Sequence, residues 1–252
     1  MYFTAGFPNL NDTLSILKSL EESDVDVIEI GFPYSDPLAD GPVIQESNGQ
    51  AIKNGMTLSF LFAQLQSLRS ITQKPVILMG YLNVVLQFGE SAFIEKCAQV
   101  GIDGIIIPDM PLHYYISNFK ELCEKNQVSN VLLVTPETSA ERIKQLDSYS
   151  SGFIYLVSSN SITGNTNAIT FQTDYYKRIQ NMNLKNPHLI GFGVHDKKTF
   201  ETVCEFGSGA IIGSAFIKHL KEKGTNKESI QLFIDRIVKS KSSILSNDNK
   251  SL

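Results

Sequence analysis

Short apolar runs rich in β-branched residues alternate with longer segments of helical period along the chain. Several of these runs, such as Ile105–Ile107 and Val131–Val134, are apolar at consecutive positions, which is typical of parallel strands covered on both faces. The pattern predicts eight strands, at Tyr2–Gly6, Val25–Gly31, Val76–Tyr81, Gly104–Pro108, Val131–Thr135, Phe153–Val157, Leu189–Gly193 and Ala210–Gly213.

Amphipathic segments between these runs predict helices. The apolar positions of Leu14–Leu20 follow Asp12 and Thr13, which are candidate N-cap residues. The apolar stripe Phe93–Ala98 leads to Gly101, a residue suited to the end of a helix. We expect the other helices around residues 57–69, 116–125, 139–147, 173–181, 197–205 and 228–240, with a short extra helix at Ala215–Leu220.

Eight strands that are each followed by a helix predict an α/β fold, a single-domain (β/α)8 TIM barrel. A doubly wound open sheet is the alternative, because a count of strands does not establish closure. We expect the barrel over residues 1–243 and a flexible tail, rich in Ser, Asn and Lys, over 244–252. The longest connection follows the second strand and is interpreted as a catalytic loop, since barrel sites lie beyond the C-terminal ends of the strands.

Composition excludes several classes of protein. The 252 residues are 42% hydrophobic and carry a net charge of −4, which argues against a disordered chain and against a nucleic-acid-binding protein. The three cysteines are far apart and form no C-x-x-C motif, so reduced thiols are expected. We find no pattern of a signal peptide or a membrane span, and we expect a cytoplasmic protein.

Two acidic residues are candidates for catalysis. Glu29 lies near the end of the second apolar strand, where burial would raise its pKa and suit it to proton transfer near neutral pH. The alternative is a structural glutamate that bonds to the backbone or to a lysine. Asp40 lies on the following loop, which is rich in proline and also carries Asp36; the alternative for both aspartates is a turn or cap.

Three glycine-bearing loops follow the last three strands, at Ser161–Gly164, Gly191–Gly193 and Gly213-Ser214. Backbone N–H groups next to a helix N-terminus bind phosphate without basic side chains, and barrels often place a phosphate after strands seven and eight. The sequence therefore favours a phosphorylated small-molecule substrate.

The remaining titratable residues are less informative. Asp109 follows the fourth strand and could face the mouth, face a partner or cap a helix. The four histidines lack the spacing of metal ligands, so surface or capping roles are favoured for His113, His188, His195 and His219.

The segment from Glu29 to Gln45, EIGFPYSDPLADGPVIQ, resembles the signature of the tryptophan synthase α subunit family. The likeness extends from Thr4–Pro8 through Gly213-Ser214. It implies a barrel that cleaves indole-3-glycerol phosphate into indole and glyceraldehyde 3-phosphate. It also implies an α2β2 complex in which indole passes to the β subunit for L-tryptophan synthesis. The resemblance implies no metal or cofactor in this chain and pyridoxal phosphate in the β partner.

The resemblance also implies roles for single residues. Glu29 matches the general acid/base that protonates C3 of the indole ring, and Asp40 matches the carboxylate that binds the indole N–H. Asp36, Asn83 and the corner Asp109–Pro111 match contacts with the β subunit. The positions that match substrate-binding residues are Tyr2, Ile44, Tyr155, Thr163, Gly164, Gly193, Gly213 and Ser214.

Three departures from the family pattern stand out. Relatives carry a helix before the first strand that covers the bottom of the barrel, and this sequence shows no such helix before Tyr2. Ser159 and Ser161 replace an arginine and a glycine of the lid, and Phe7 replaces an acidic residue. The altered lid motivates an alternative, a regulatory subunit that activates its partner but cleaves poorly. A free-standing lyase that produces indole is a third hypothesis.

Overall fold

A computed structural model describes residues 1–157, 173–191 and 193–238. Their backbone forms eight parallel strands that neighbour one another in chain order. The strands are β1 (Tyr2–Thr4), β2 (Ile28–Gly31), β3 (Val76–Met79), β4 (Gly104–Ile106), β5 (Ser129–Val134), β6 (Ile154–Val157), β7 (His188–Gly191) and β8 (Gly209–Ala210). The predicted strands are therefore confirmed in number and order, and most are shorter than the apolar runs that predict them.

The sheet closes on itself. The N–H of Tyr2 donates to the carbonyl of Ile212, just beyond β8, with an N–O distance of 2.9 Å. This hydrogen bond joins the first strand to the last one, so the fold is the predicted TIM barrel and the doubly wound open sheet is wrong. The register places Tyr2 beside Glu29 and Glu29 beside Ile77, which aligns these three residues on neighbouring strands.

Helices surround the barrel. They are α1 (Asp12–Glu21), α2 (Pro42–Lys53), α3 (Leu58–Gln64), α4 (Leu68–Ile71), α5 (Leu82–Phe88), α6 (Glu90–Val100), α7 (Leu112–Tyr114), α8 (Lys120–Asn126), α9 (Ala140–Tyr149), α10 (Thr173–Gln180), α11 (Lys197–Cys204), α12 (Ser214–Lys223) and α13 (Lys227–Val238). A 3-10 turn at Leu65–Ser67 links α3 to α4, and a π-helical turn at Tyr115–Phe119 links α7 to α8.

Three helices, α2, α5 and the three-residue α7, are absent from the sequence prediction. The buried face of α2 includes Ser47 and Asn48, so the segment lacks the apolar stripe that reveals a helix. The short α5 contains the pair Val84-Val85, which favours a strand. The long connection after β2 is therefore mostly helical, and its longest non-helical stretch is the loop Phe32–Gly41 that follows the strand.

The predicted helix ends are partly correct. Ser139 accepts a hydrogen bond from the N–H of Arg142 and caps α9, and Gly101 ends α6 with φ of 87°. Asp12 is not the N-cap of α1, because the helix begins at Asp12 itself and its carboxylate accepts from the N–H of Asn9. The single helix predicted at 57–69 is α3, the 3-10 turn and α4.

Apolar side chains fill two layers. One cluster lies inside the barrel and consists of Ile77, Ile106, Val131, Phe153, Tyr155 and Ile211. A larger cluster lies between the strands and the helices. Among the described helices, none is long and apolar enough to cross a membrane. The predicted boundary at residue 243 and the tail 244–252 lie outside the described residues.

Candidate active site

Glu29 occupies the centre of β2 with its carboxyl group facing into the barrel. Its neighbours Ile28 and Ile30 are fully buried, and they face the helix layer because side chains alternate along a strand. Glu29 is itself only 4% exposed, and its Oε1 atom has no hydrogen-bond partner in the described structure. A buried polar atom without a partner is costly, which favours an acceptor that a ligand completes.

Asp40 lies near the end of the loop between β2 and α2. The backbone of this loop is fixed by a hydrogen bond of 3.0 Å from the Asp40 N–H to the Pro37 carbonyl. The side-chain amide of Gln45, on the first turn of α2, donates to the Asp40 carbonyl at 2.8 Å. The Asp40 carboxylate accepts a hydrogen bond of 3.1 Å from the hydroxyl of Tyr81.

One cavity, of about 720 Å3, contains both carboxyl groups. A volume of this size suits a small molecule. The structure brings eight of the predicted site residues to its wall, namely Tyr2, Glu29, Asp40, Ile44, Tyr155, Gly193, Gly213 and Ser214. The predicted residues Thr163 and Gly164, like the lid residues Ser159 and Ser161, lie outside the described residues.

Two tyrosines form part of the cavity wall because glycines leave room for them. A Cβ atom on Gly31 would lie 2.2 Å from the phenol oxygen of Tyr2. A Cβ atom on Gly191 would lie equally close to the phenol oxygen of Tyr155. Any larger residue at either glycine would therefore displace an aromatic ring from this wall.

The part of the cavity wall formed by Gly193, Gly213 and Ser214 has the features of a phosphate site. Gly193 has φ of 79°, a backbone conformation that favours glycine. Gly213 directly precedes α12, and Ser214 is the first residue of that ten-residue helix. Free N–H groups and the positive end of the helix dipole at such a terminus stabilise an anion.

Burial perturbs the acidity of both carboxyl groups. It raises the pKa of Glu29 to about 7, while the amino group of Met1 acts in the opposite direction and Asp40 adds a smaller increase. Burial also raises the pKa of Asp40 to about 6, and the hydrogen bond from Tyr81 opposes this increase. Near neutral pH the site can therefore hold one protonated and one ionised carboxyl group, the arrangement that divides acid and base roles.

Tyr81 is not among the site residues predicted from the sequence, and for Asp109 the sequence left three roles open. Tyr81 follows β3 and contacts Asp40 from a neighbouring strand end; its position just past an apolar strand is the one signal in the sequence. Asp109 accepts a hydrogen bond of 2.9 Å from the N–H of Leu82, so it caps the start of α5. Among the described residues, no three His, Cys, Asp or Glu side chains form a cluster suited to a metal ion.

Comparison with known proteins gives consistent relatives. The family model described as "Tryptophan synthase alpha chain" matches residues 1–242. The chain is 56% identical over 238 residues to the tryptophan synthase alpha chain of Flavobacterium psychrophilum, covering 94% of this chain and 93% of that protein. It is 49% identical to the alpha chain of Parabacteroides distasonis with the same coverage.

Solved structures agree with the sequence relatives. The tryptophan synthase A-subunit of Pyrococcus furiosus superimposes with a TM-score of 0.84 at 33% identity, covering 94% of this chain and 96% of that one. A chain of the tryptophan synthase complex from the same organism gives a TM-score of 0.82 at 32% identity, covering 94% and 95%. This chain therefore belongs to the tryptophan synthase alpha chain family, the lyases of tryptophan biosynthesis that cleave indole-3-glycerol phosphate.

Proposed function

We propose that Glu29 and Asp40 are the catalytic groups with which this chain cleaves indole-3-glycerol phosphate. The observation that supports this assignment most strongly is the buried Glu29 carboxyl group, which has an unpartnered oxygen and a pKa of about 7. A group of this acidity is a good proton donor and acceptor near neutral pH. A second carboxyl group lines the same cavity.

The reaction divides between these two groups. Glu29 donates a proton to C3 of the indole ring, which leaves positive charge on the ring nitrogen. The ionised Asp40 accepts a hydrogen bond from the indole N–H and stabilises that charge. The bond between C3 and the glycerol chain then breaks, its electron pair returns to the ring, and the adjacent glycerol hydroxyl loses its proton to the Glu29 carboxylate. The products are indole and glyceraldehyde 3-phosphate.

The other predicted residues bind the substrate. Tyr2, Ile44 and Tyr155 offer the aromatic and apolar surface that an indole ring requires. Gly193, Gly213 and Ser214 offer backbone N–H groups and the start of α12 to the phosphate. We assign Thr163 and Gly164 to the same site from the family resemblance.

The partner in this proposal is a tryptophan synthase β subunit that carries pyridoxal phosphate and receives the indole in an α2β2 complex. In the loop after β2, Leu38 is 86% exposed and lies two residues from Asp36, so this loop presents an apolar side chain that the β subunit would cover. Asn83 and the corner Asp109–Pro111 complete the proposed contact surface. We expect the complex to act in the cytoplasm, which the three free cysteines support.

The test is the formation of indole from indole-3-glycerol phosphate by the purified chain, with and without the matching β chain. Glu29→Gln keeps the shape of the side chain but cannot transfer the proton, so kcat should fall by at least about a hundredfold. Glu121→Gln, at an exposed position of α8, is the matched control and should act like the parent protein.

Three other outcomes would contradict the proposal. A Glu29→Gln variant that keeps more than a tenth of the parent kcat would refute the role of Glu29. Activation of the β chain without any cleavage at saturating substrate would favour a regulatory subunit. Full activity that does not change when the β chain is added would favour a free-standing lyase.

A further inference from the structure

We infer that Tyr81 is a positioning residue for Asp40: its hydroxyl group holds both the carboxylate and the backbone of the loop that carries this aspartate. The inference rests on the proposed role of Asp40. It concerns a residue that does not belong to the loop itself and that lies 41 positions further along the chain.

Tyr81 makes three contacts with the loop between β2 and α2. Its hydroxyl donates to the Asp40 carboxylate at 3.1 Å and accepts from the N–H of Ala39, also at 3.1 Å. Its ring lies against the ring of Tyr34, with 5.1 Å between the centroids and an angle of 30° between the planes. One side chain thus joins three positions of this loop.

The loop needs such an external contact. Leu38 and Ala39 are exposed, so this part of the loop has little apolar packing to hold it. The hydrogen bonds within the loop and from Gln45 fix backbone groups. In the described part of the chain, the hydroxyl of Tyr81 is the hydrogen-bond donor that reaches the Asp40 carboxylate.

Tyr81 is itself well fixed. It is 8% exposed and directly precedes α5. The start of that helix is anchored from the loop after β4, where the Asp109 carboxylate accepts the N–H of Leu82 at 2.9 Å. The hydroxyl therefore projects from a rigid strand end, and a rigid support is what the placement of a reacting group requires.

The hydrogen bond also has an electrostatic consequence. A phenol that donates to a carboxylate favours its ionised form, which is the form that stabilises positive charge on the indole nitrogen. The titratable groups that face Asp40 are Glu29 on β2, Tyr2 on β1 and Tyr155 on β6, in addition to Tyr81. Asp109 faces Tyr81. These neighbouring acidic groups disfavour a negative charge on Asp40, so the hydrogen bond from the neutral Tyr81 hydroxyl is the contact that favours its ionisation.

Replacing the hydroxyl tests the inference directly. Tyr81→Phe keeps the ring against Tyr34 and loses both hydrogen bonds. We expect kcat for cleavage to fall about tenfold, with KM changed by less than about twofold, because a hydrogen bond to a charged group is lost. The acid limb of the pH profile of kcat should move about one pH unit upward, because Asp40 becomes harder to ionise.

A second variant shifts the profile in the opposite direction. Incorporation of 3-fluorotyrosine at position 81 keeps the size and the hydrogen bonds but makes the phenol a stronger acid and a stronger donor. The acid limb should then move to lower pH. This variant carries the test if Tyr81→Phe does not fold, and opposite shifts in the two variants cannot arise from a merely structural role.

Tyr114→Phe is the matched control. Tyr114 also donates its hydroxyl to a carboxylate, that of Glu90, but neither residue lines the cavity, so kcat and the pH profile should stay unchanged. Parent-like kcat and an unshifted acid limb in Tyr81→Phe or in the fluorinated protein would overturn the inference. The variant Asp40→Asn in the same assay separates the two claims. If it is inactive, a negative result for Tyr81 overturns the positioning role of Tyr81 and leaves the proposed role of Asp40 intact. If it is fully active, the proposed role of Asp40 is itself wrong.

Discussion

Substituting Glu29 by glutamine should stabilise the fold in a pH-dependent manner. The carboxyl group is buried in β2 with an unpartnered oxygen, and burial raises its pKa from the ordinary value of 4.5 to about 7. A carboxyl group whose pKa is higher in the folded chain than in the unfolded one stabilises the fold at low pH. This contribution is complete below about pH 4.5 and is lost as the pH rises to about 7.

The magnitude follows from the difference between the two pKa values. Each tenfold change in acid dissociation corresponds to about 1.4 kcal/mol, so an ionised Glu29 lowers the free energy of unfolding by about 3 kcal/mol relative to the protonated form. Glutamine has nearly the same shape and no charge at any pH. Between pH 5 and pH 8 the stability of Glu29→Gln should therefore increase relative to the parent protein by about 2 to 3 kcal/mol.

Urea unfolding at pH 5 and pH 8, followed by circular dichroism, measures this difference. Glu121→Gln is the control and should follow the parent protein at both pH values. An equal effect of Glu29→Gln at pH 5 and pH 8, or a loss of stability that grows with pH, would refute the reasoning. A gain in stability together with a loss of activity would identify Glu29 as a residue retained for chemistry rather than for folding.

Three further predictions concern the site and its support. Since cleavage needs Asp40 ionised and Glu29 protonated, kcat/KM should rise through about pH 6 and fall above about pH 7; a profile that is flat from pH 5 to pH 9 would contradict both roles. Gly31→Ala places a Cβ atom 2.2 Å from the phenol oxygen of Tyr2, so it should lower Tm and raise KM. The control is Gly49→Ala inside α2, where a Cβ meets no atom within 4 Å; it should leave KM unchanged and raise Tm slightly, because alanine is the better helix former. Asp147→Ala removes the acceptor of two backbone N–H groups in the segment before β7. It should lower the free energy of unfolding by about 2 kcal/mol, while kcat changes less than twofold. A loss of kcat without a loss of stability would show that this segment affects the site directly.

The sequence predicted elements well where one physical signal dominates. All eight strands are recognisable as short runs of mostly apolar residues, because most barrel strands are buried on both faces. The helix α2 escapes this reasoning because it packs through Ser47 and Asn48, whose small polar side chains make no apolar stripe. The cap of α5 could not be predicted from the sequence either, because Asp109 lies in the loop after β4, far along the chain from the helix that it caps.

The sequence by itself determines that Glu29 is a carboxyl group within an apolar strand, that glycines follow the last strands, and which family the chain resembles. These are local properties, since burial of a strand and the freedom of glycine depend on neighbouring positions. The tertiary structure decides what they mean chemically. The hydrogen bond from the Tyr2 N–H to the Ile212 carbonyl closes the barrel, and that closure brings β1, β2 and β6 around one cavity. The pKa of Glu29 depends on how completely this cavity excludes water, and the contact of Tyr81 with Asp40 depends on which strand ends become neighbours, so neither follows from spacing along the chain.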